Sequence, residues 1–372
     1  MHILSRSLAA AAVASVLTGP LALGADLSAG MSVGKPELKS IGPIAFGPDG
    51  ILFAADSKSA TVFAIATGDT KGVQPESCKV ENLDEKIAAL LGTAPSQILV
   101  NDLAVNPASG VPYLAVSRGL GPDAAPVLLR VKSDGALALV SLDKIRFSAA
   151  ALPDPPADGL VGEGRRRKNP RLESITDIGF TEGTVIVAGL SNEEFASSLR
   201  RIPFPFKEVS KGTSVEIYHG AHGKLETRSP VRTFATFTIE NEPHLLAAYT
   251  CTPLVQFPIS KLKPGAKVRG TTLAELGNRN RPLDMIVYHK GKDSFLLIAN
   301  NARGIMKVPT KGLADVKAID SRIAGGQTAG LSYDTVADWK GVEQLDLYSE
   351  ARAIVVQRGE ETGLTLATLP LP

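Results

Sequence analysis

Two histidines three residues apart, His219 and His222, sit in a Gly-rich turn, and Cys251 lies further along the chain. Two imidazoles and a thiolate would suit copper or zinc, which favour nitrogen and sulfur donors. The pair lacks the glutamate and helix of a His-Glu-x-x-His motif, so two solvent-facing histidines are the plain alternative. A second group is acidic. Asn101-Asp102, Asp177 and Asp284 each open an alternating apolar segment. A carboxylate desolvated without a partner costs free energy. Recurrence at equivalent positions therefore suggests a ligand, water or a divalent cation such as calcium, zinc or copper; the competing role is capping of neighbouring backbone. Arg118, Asn192 and Asn300, which end such segments, complete the ligand-binding candidates. Gly30-Met-Ser-Val-Gly34 spells a nucleophile elbow without the strand and helix that motif needs. Arg165-Arg-Arg-Lys168 with Arg171 would hold an anion or form a solvated charge run. Ser191 to Leu199 reads as a capped helical turn.

These residues need a scaffold, and its first clue is the N-terminus. A short basic start, an Ala-rich apolar stretch from Leu8 to Leu23 and small residues at Ala22 to Ala25 mark residues 1–24 as a signal peptide. The expectation is an exported, periplasmic or secreted chain with no membrane span after cleavage. A formal charge of +2 with 21% charged residues argues against nucleic-acid or membrane-surface binding. The two cysteines, Cys78 and Cys251, would either pair or stay free.

The 35 glycines and 25 prolines are spread along the chain, as many short strands and tight turns require. A three-strand unit recurs six times, opening at Ile41, Asn101, Ile175, Arg232, Leu283 and Leu331. Units of this kind bury their faces only against neighbours, so residues 25–372 are expected to form one all-β domain, a six-bladed β-propeller. Fourth strands are expected at Cys78 to Glu81, Ala136 to Val140, Ser214 to Tyr218 and Leu364 to Leu369. Either Met31 to Leu38 or the C-terminal strand would complete the last blade. Asn82 to Gly92 reads as a short helix, and 143–174 as a long irregular loop over the channel face. Antiparallel strands then deliver Asn101, Asp102, Asp177, Asp284, Arg118, Asn192, Asn300, Asp56, Cys251, Asn301 and Glu350 to one channel end, with His219 and His222 on loops crossing it. Asp49, Asn106, Glu182, Glu242 and His244 go to the other.

Gly47-Pro-Asp-Gly-Ile-Leu-Phe-Ala-Ala-Asp-Ser57 followed by Val62-Phe-Ala-Ile65 resembles blades of the NHL and gluconolactonase/regucalcin-like propellers. Asn101-Asp102 is similar to the strand start at which those lactonases hold metal and substrate. The chain departs from them at Ile41, where they carry a glutamate, and at Asp284, which is offset by one residue and so turned to the other strand face. Two functions follow from different classes. One is a non-enzymatic propeller binding a small molecule, a metal or a periplasmic protein at the channel end. The other is a divalent-metal hydrolase of lactonase type, with a cation at Asn101, Asp102 and Asp284. A quinoprotein or copper electron-transfer role rests on His219, His222 and Cys251 alone.

Overall fold

The computed structural model describes residues 26–164, 167–251, 253–359 and 363–372. The signal peptide expected over residues 1–24, and Arg165 and Arg166 of the basic run, lie outside them. Six sheets, antiparallel but for one short parallel edge pair between Thr213–His219 and Lys267–Arg269, here blades I to VI in chain order of their innermost strands, stand around a central channel. Those innermost strands are Ile44–Phe46, Ile98–Val105, Asp177–Thr181, Thr233–Ile239, Pro282–Lys290 and Val342–Ser349. Among the described residues no helix is long and apolar enough to cross a membrane.

Strand chemistry follows position in the blade. Second strands lie between neighbouring sheets and are buried on both faces, so Ile51–Asp56 and Thr184–Leu190 are buried throughout. Short continuous runs bounded by turns are the signature of such strands. Innermost strands face the channel and are more open, which is where polar residues can be afforded.

The path of the chain differs from a simple tour of the ring. Neighbouring innermost strands give the order II, I, III, IV, V, VI and back to II, so the first two blades are exchanged relative to chain order. After Thr61–Ala66 the chain crosses to the outer edge of blade VI, where Lys79–Val80 pairs with Leu364–Pro370. It then builds blade II and returns to blade I as Ile145–Ala151, the fourth strand, with Ser32–Gly34 outside it.

Several expectations are thereby corrected. The segment at Cys78 to Glu81 does form an outer strand, but of blade VI and not blade I. The C-terminal strand is the third of blade VI, not its fourth. The sixth unit opens at Val342 and not Leu331, a frame error of one strand. The front of the long 143–174 excursion is regular strand. The expected fourth strands of blades II and III form as Leu137–Leu139 and Thr213–His219. Ser191 to Leu199 is a bend running into the strand Ser197–Pro203, without a helical turn.

Ring closure thus depends on the crossing segment, and the expected helix anchors it. Helix α1 (Leu83–Leu91) ends at Gly92, whose φ of 63° suits a glycine cap. Its Leu83 and Ile87 are fully buried with Val80, Ile98, Leu364 and Leu366, in the cluster joining blades II and VI. Ile87→Ala is expected to cost about 2–5 kcal/mol of stability, the usual range for such a truncation. Urea unfolding of the purified chain measures this, and a near-zero loss would show that the helix does not hold the closure.

Candidate functional site

The channel is divided by a belt of carboxylates. Asp102, Asp177 and Asp284 line both a lower cavity of about 1100 Å³ and an upper one of about 450 Å³, while Asp346 lines the lower alone. All four share one bonding pattern. One oxygen accepts the N–H of the next residue in the strand: Leu103 at 2.8 Å, Ile178 at 2.8 Å, Met285 at 2.7 Å and Leu347 at 2.7 Å. The other oxygen reaches the next blade. Asp102 accepts from Ile44 N at 2.6 Å, Asp177 from Phe234 N at 2.7 Å, Asp284 from Leu345 N at 2.8 Å, and Asp346 from Val105 N at 2.7 Å.

These links run in one direction around the ring, II to I, III to IV, V to VI and VI to II. Blades I and IV begin with Pro43-Ile44 and Thr233-Phe234 where others have Asp followed by an apolar residue, and no carboxylate link leaves them. The seam from I to III instead uses hydroxyls, with Ser57 Oγ donating to Ile175 O and Ser174 Oγ to Ser57 O. The Phe53 and Phe180 rings stack across it.

Gathering carboxylates in a channel raises their pKa. Burial pushes Asp102 well above the ordinary range, and the charges of Asp284 and Asp177 push it further against the pull of its N–H donors. Asp284 moves the same way, again first through burial. Burial raises Asp177 to about 7 and Asp346 to about 6, opposed in each by two backbone N–H groups and in Asp177 also by Thr233.

Above the belt the upper chamber carries opposite charge. Its wall includes Arg232, Arg281, Glu173, Thr176, Asn101 and Gln344. Glu173 accepts from Arg232 at 2.8 Å and Lys168 at 3.1 Å; burial raises its pKa, but these two cations outweigh it and lower the value. The Arg281 guanidinium takes no hydrogen bond or ion pair among the described residues. Arg281 is exposed at the chamber wall, and partial burial of its guanidinium, then the neighbouring Arg232, lower its pKa. The larger lower cavity offers fewer free groups, since Gln74 donates to Tyr348 O and Asn106 to Asp69 O.

The sequence-derived candidates separate into three groups. Asn101, Asp102, Asp177 and Asp284 come together in the channel. Asn101 spends its amide on Ile41 O and Ser117 Oγ, both at 2.8 Å. Arg118, Asn192 and Asn300 stay out of the channel lining: Asn300 is buried and caps the turn at Ala302 and Arg303, and the exposed Asn192 meets Asp154 O through its backbone N–H. His219 and His222 meet away from the channel, at the outer edge of blade III, joined by Glu226 and not Cys251. The two cysteines remain free thiols. Of the basic run, Lys168 pairs with Glu173, and Arg171 donates to Pro156 O and Lys58 O, so both brace the loop.

Sequence reasoning missed Asp346, Arg232 and Arg281. Asp346 had a signal, because Leu345-Asp-Leu347 repeats the pattern of Leu283-Asp-Met285. The arginines had none, since their loops come together only when the ring closes.

The chain is a six-bladed β-propeller with a charged channel. No protein-family profile and no curated protein matches it. Similar solved structures include a PQQ-bound aldose sugar dehydrogenase from Streptomyces coelicolor, 12% identical over 91% of this chain and 96% of that one, TM-score 0.31. The apo soluble aldose sugar dehydrogenase of Escherichia coli is 10% identical over 92% and 99%, TM-score 0.35. The WD40 β-propeller domain of Doa1 is 8% identical over 91% and 95%, TM-score 0.31. Values of this size carry no argument about activity, and the architecture rests on the sheet order described above.

The raised carboxyls have a consequence for stability. Unfolded aspartate loses its proton near pH 4, whereas folded Asp177 holds its proton to about 7 and Asp346 to about 6. The folded chain binds more protons in that window, so stability is highest at its acid end and falls as pH rises through it. Thermal unfolding between pH 4 and 8 is expected to show this decline, with a shallower slope in Asp177→Asn. A wild-type profile that rises across the window would contradict the assignment.

Proposed function

We propose that this chain is an exported propeller whose upper channel chamber binds a small anionic molecule carrying hydroxyl groups. The observation that carries the reading is the unpartnered Arg281 guanidinium beside Arg232, at the wall of a cavity of about 450 Å³ floored by carboxylates. A guanidinium is suited to bidentate recognition of a carboxylate or phosphate. The belt below offers its remaining oxygen lone pairs to hydroxyl groups and, being buried and reluctant to ionise, suits neutral groups better than a second anion, which orients a ligand with its acid upward and its hydroxyls downward. Export rests on the signal-like residues 1–24, and small-molecule binding draws further support from the likeness of Asn101-Asp102 and the first blade to the NHL and gluconolactonase/regucalcin-like propellers.

A hydrolytic reading draws on the Asp177 carboxyl, whose pKa of about 7 lies in the range of a general acid or base. The divalent-metal form of that reading ranks second for a geometric reason. Asn101 donates its amide to other groups, and Asp102 and Asp284 each spend both oxygens on backbone N–H. Among the described residues, no three His, Cys, Asp or Glu ligand atoms gather within 4.8 Å in the channel.

Titration calorimetry with gluconate, galacturonate, inorganic phosphate and neutral glucose tests the proposal. The hydroxy acids are expected to bind more tightly than glucose, and Arg281→Ala to weaken them at least about tenfold, as loss of a charged hydrogen bond implies. Binding of glucose and gluconate with equal affinity, unaffected by Arg281→Ala, would overturn it, as would no binding by any of the four.

A further inference from the structure

We propose that His219, His222 and Glu226 form a transition-metal site at the outer edge of blade III, with Glu275 of blade IV holding the His219 ring. This inference is independent of the channel reading. The His219 side chain is 3% exposed, yet neither ring nitrogen makes a hydrogen bond. Glu226 stands beside both rings: its Oε1 is 2.6 Å from His222 Nδ1, and its Oε2 is 3.3 Å from His219 Nδ1, outside hydrogen-bond geometry. The imidazole centroids are 3.9 Å apart. One ligand atom from each of the three residues lies within 4.8 Å of the others.

Four-coordinate zinc bonded at about 2.0–2.2 Å has ligand atoms about 3.4 Å apart. The 2.6 Å His222–Glu226 contact is shorter than this spacing and would open on binding, with the half-exposed His222 ring turning to bring its nitrogen to the ion. Three protein ligands leave a fourth position for water or an exogenous group. Two imidazoles and a carboxylate favour zinc, copper or nickel over calcium or magnesium.

The surroundings match what metal-bound histidines require. A ligating histidine commonly points its other nitrogen at a carboxylate that fixes its tautomer. His219 Nε2 faces Glu275 Oε2 at 3.9 Å, and that buried oxygen has no hydrogen-bond partner. Glu275 Oε1 is itself fixed by Gly220 N at 2.5 Å. Gly220 permits this approach because a Cβ there would stand 3.0 Å from Glu275 Cγ. Ser229 Oγ orients Glu226 through a 2.7 Å bond to Oε2. The chain therefore buries an imidazole without hydrogen bonds beside a carboxylate oxygen, Glu275 Oε2, that has none either, and a metal on Nδ1 would give the imidazole its ligand and draw Nε2–H onto Glu275.

Zinc titration of the untagged full-length mature chain by calorimetry, with cobalt(II) absorption as a second readout, tests the proposal. One zinc per chain is expected. His222→Ala and Glu226→Gln should each weaken binding at least about tenfold, and Glu275→Gln about 10–100-fold as for other outer-shell partners. Cys251→Ser should leave affinity and the cobalt band unchanged. Circular dichroism shows whether each variant is folded, and either of the two ligand variants suffices if the other is not. Wild-type chain without stoichiometric zinc, folded ligand variants that bind as tightly as wild type, or loss of the cobalt band in Cys251→Ser would each overturn the site.

Discussion

An innermost propeller strand has only one sheet neighbour, so half of its backbone N–H groups point into a channel with nothing in the sheet to receive them. An unpaired, desolvated N–H is costly. Here the solution is a carboxylate from the adjoining blade. Asp102, Asp177, Asp284 and Asp346 each bind one donor in their own strand and one across a seam, so that four of the six seams are tied by the same device. Each such bond satisfies a donor that would otherwise be desolvated without a partner, at about 0.5–1.5 kcal/mol for an ordinary hydrogen bond and more where the acceptor is ionised.

That device sets the chemistry of the channel. Oxygens committed to the ring are poorly placed to surround a cation, and burial, reinforced at Asp102 and Asp284 by neighbouring carboxylates, raises the pKa of the belt. The proposed ligand site draws on groups that the ring does not use, Arg281 first among them. The proposed metal site lies instead at the rim, where His219, buried without hydrogen bonds, meets Glu226 and Glu275 on neighbouring outer strands. The two proposed sites thus lie apart, one in the channel and one at the outer strands of blade III, and call for ligands of different chemistry.

Much of this was legible in the residues themselves. Six alternating units with turn signals specified the blades, and strand polarity put Asn101, Asp102, Asp177 and Asp284 in the channel they line but also Arg118, Asn192 and Asn300, which stay out of it. Local pattern is silent, however, about which edge a short strand will join. Lys79–Val80 looks like the fourth strand of the first unit and instead closes the last blade, because a two-residue strand is placed by the helix and cluster around it. The sixth unit slipped for a related reason: Asp334–Thr335 contributes an outer strand of blade V, so its apparent inner strand belongs to another blade. Glu226 lies within seven residues of His219 on the same hairpin and could have been found, whereas Glu275 comes from the next blade and could not.

Amide hydrogen exchange at residue resolution tests the carboxylate belt most directly. Ile44, Phe234, Leu345 and Val105 N–H groups should exchange as slowly as amides within the sheet ladders, and Asp102→Ala should selectively accelerate Ile44 and Leu103. Exchange of those four amides at the rate of exposed loops, or an Asp102→Ala variant that leaves Ile44 protected, would contradict the account.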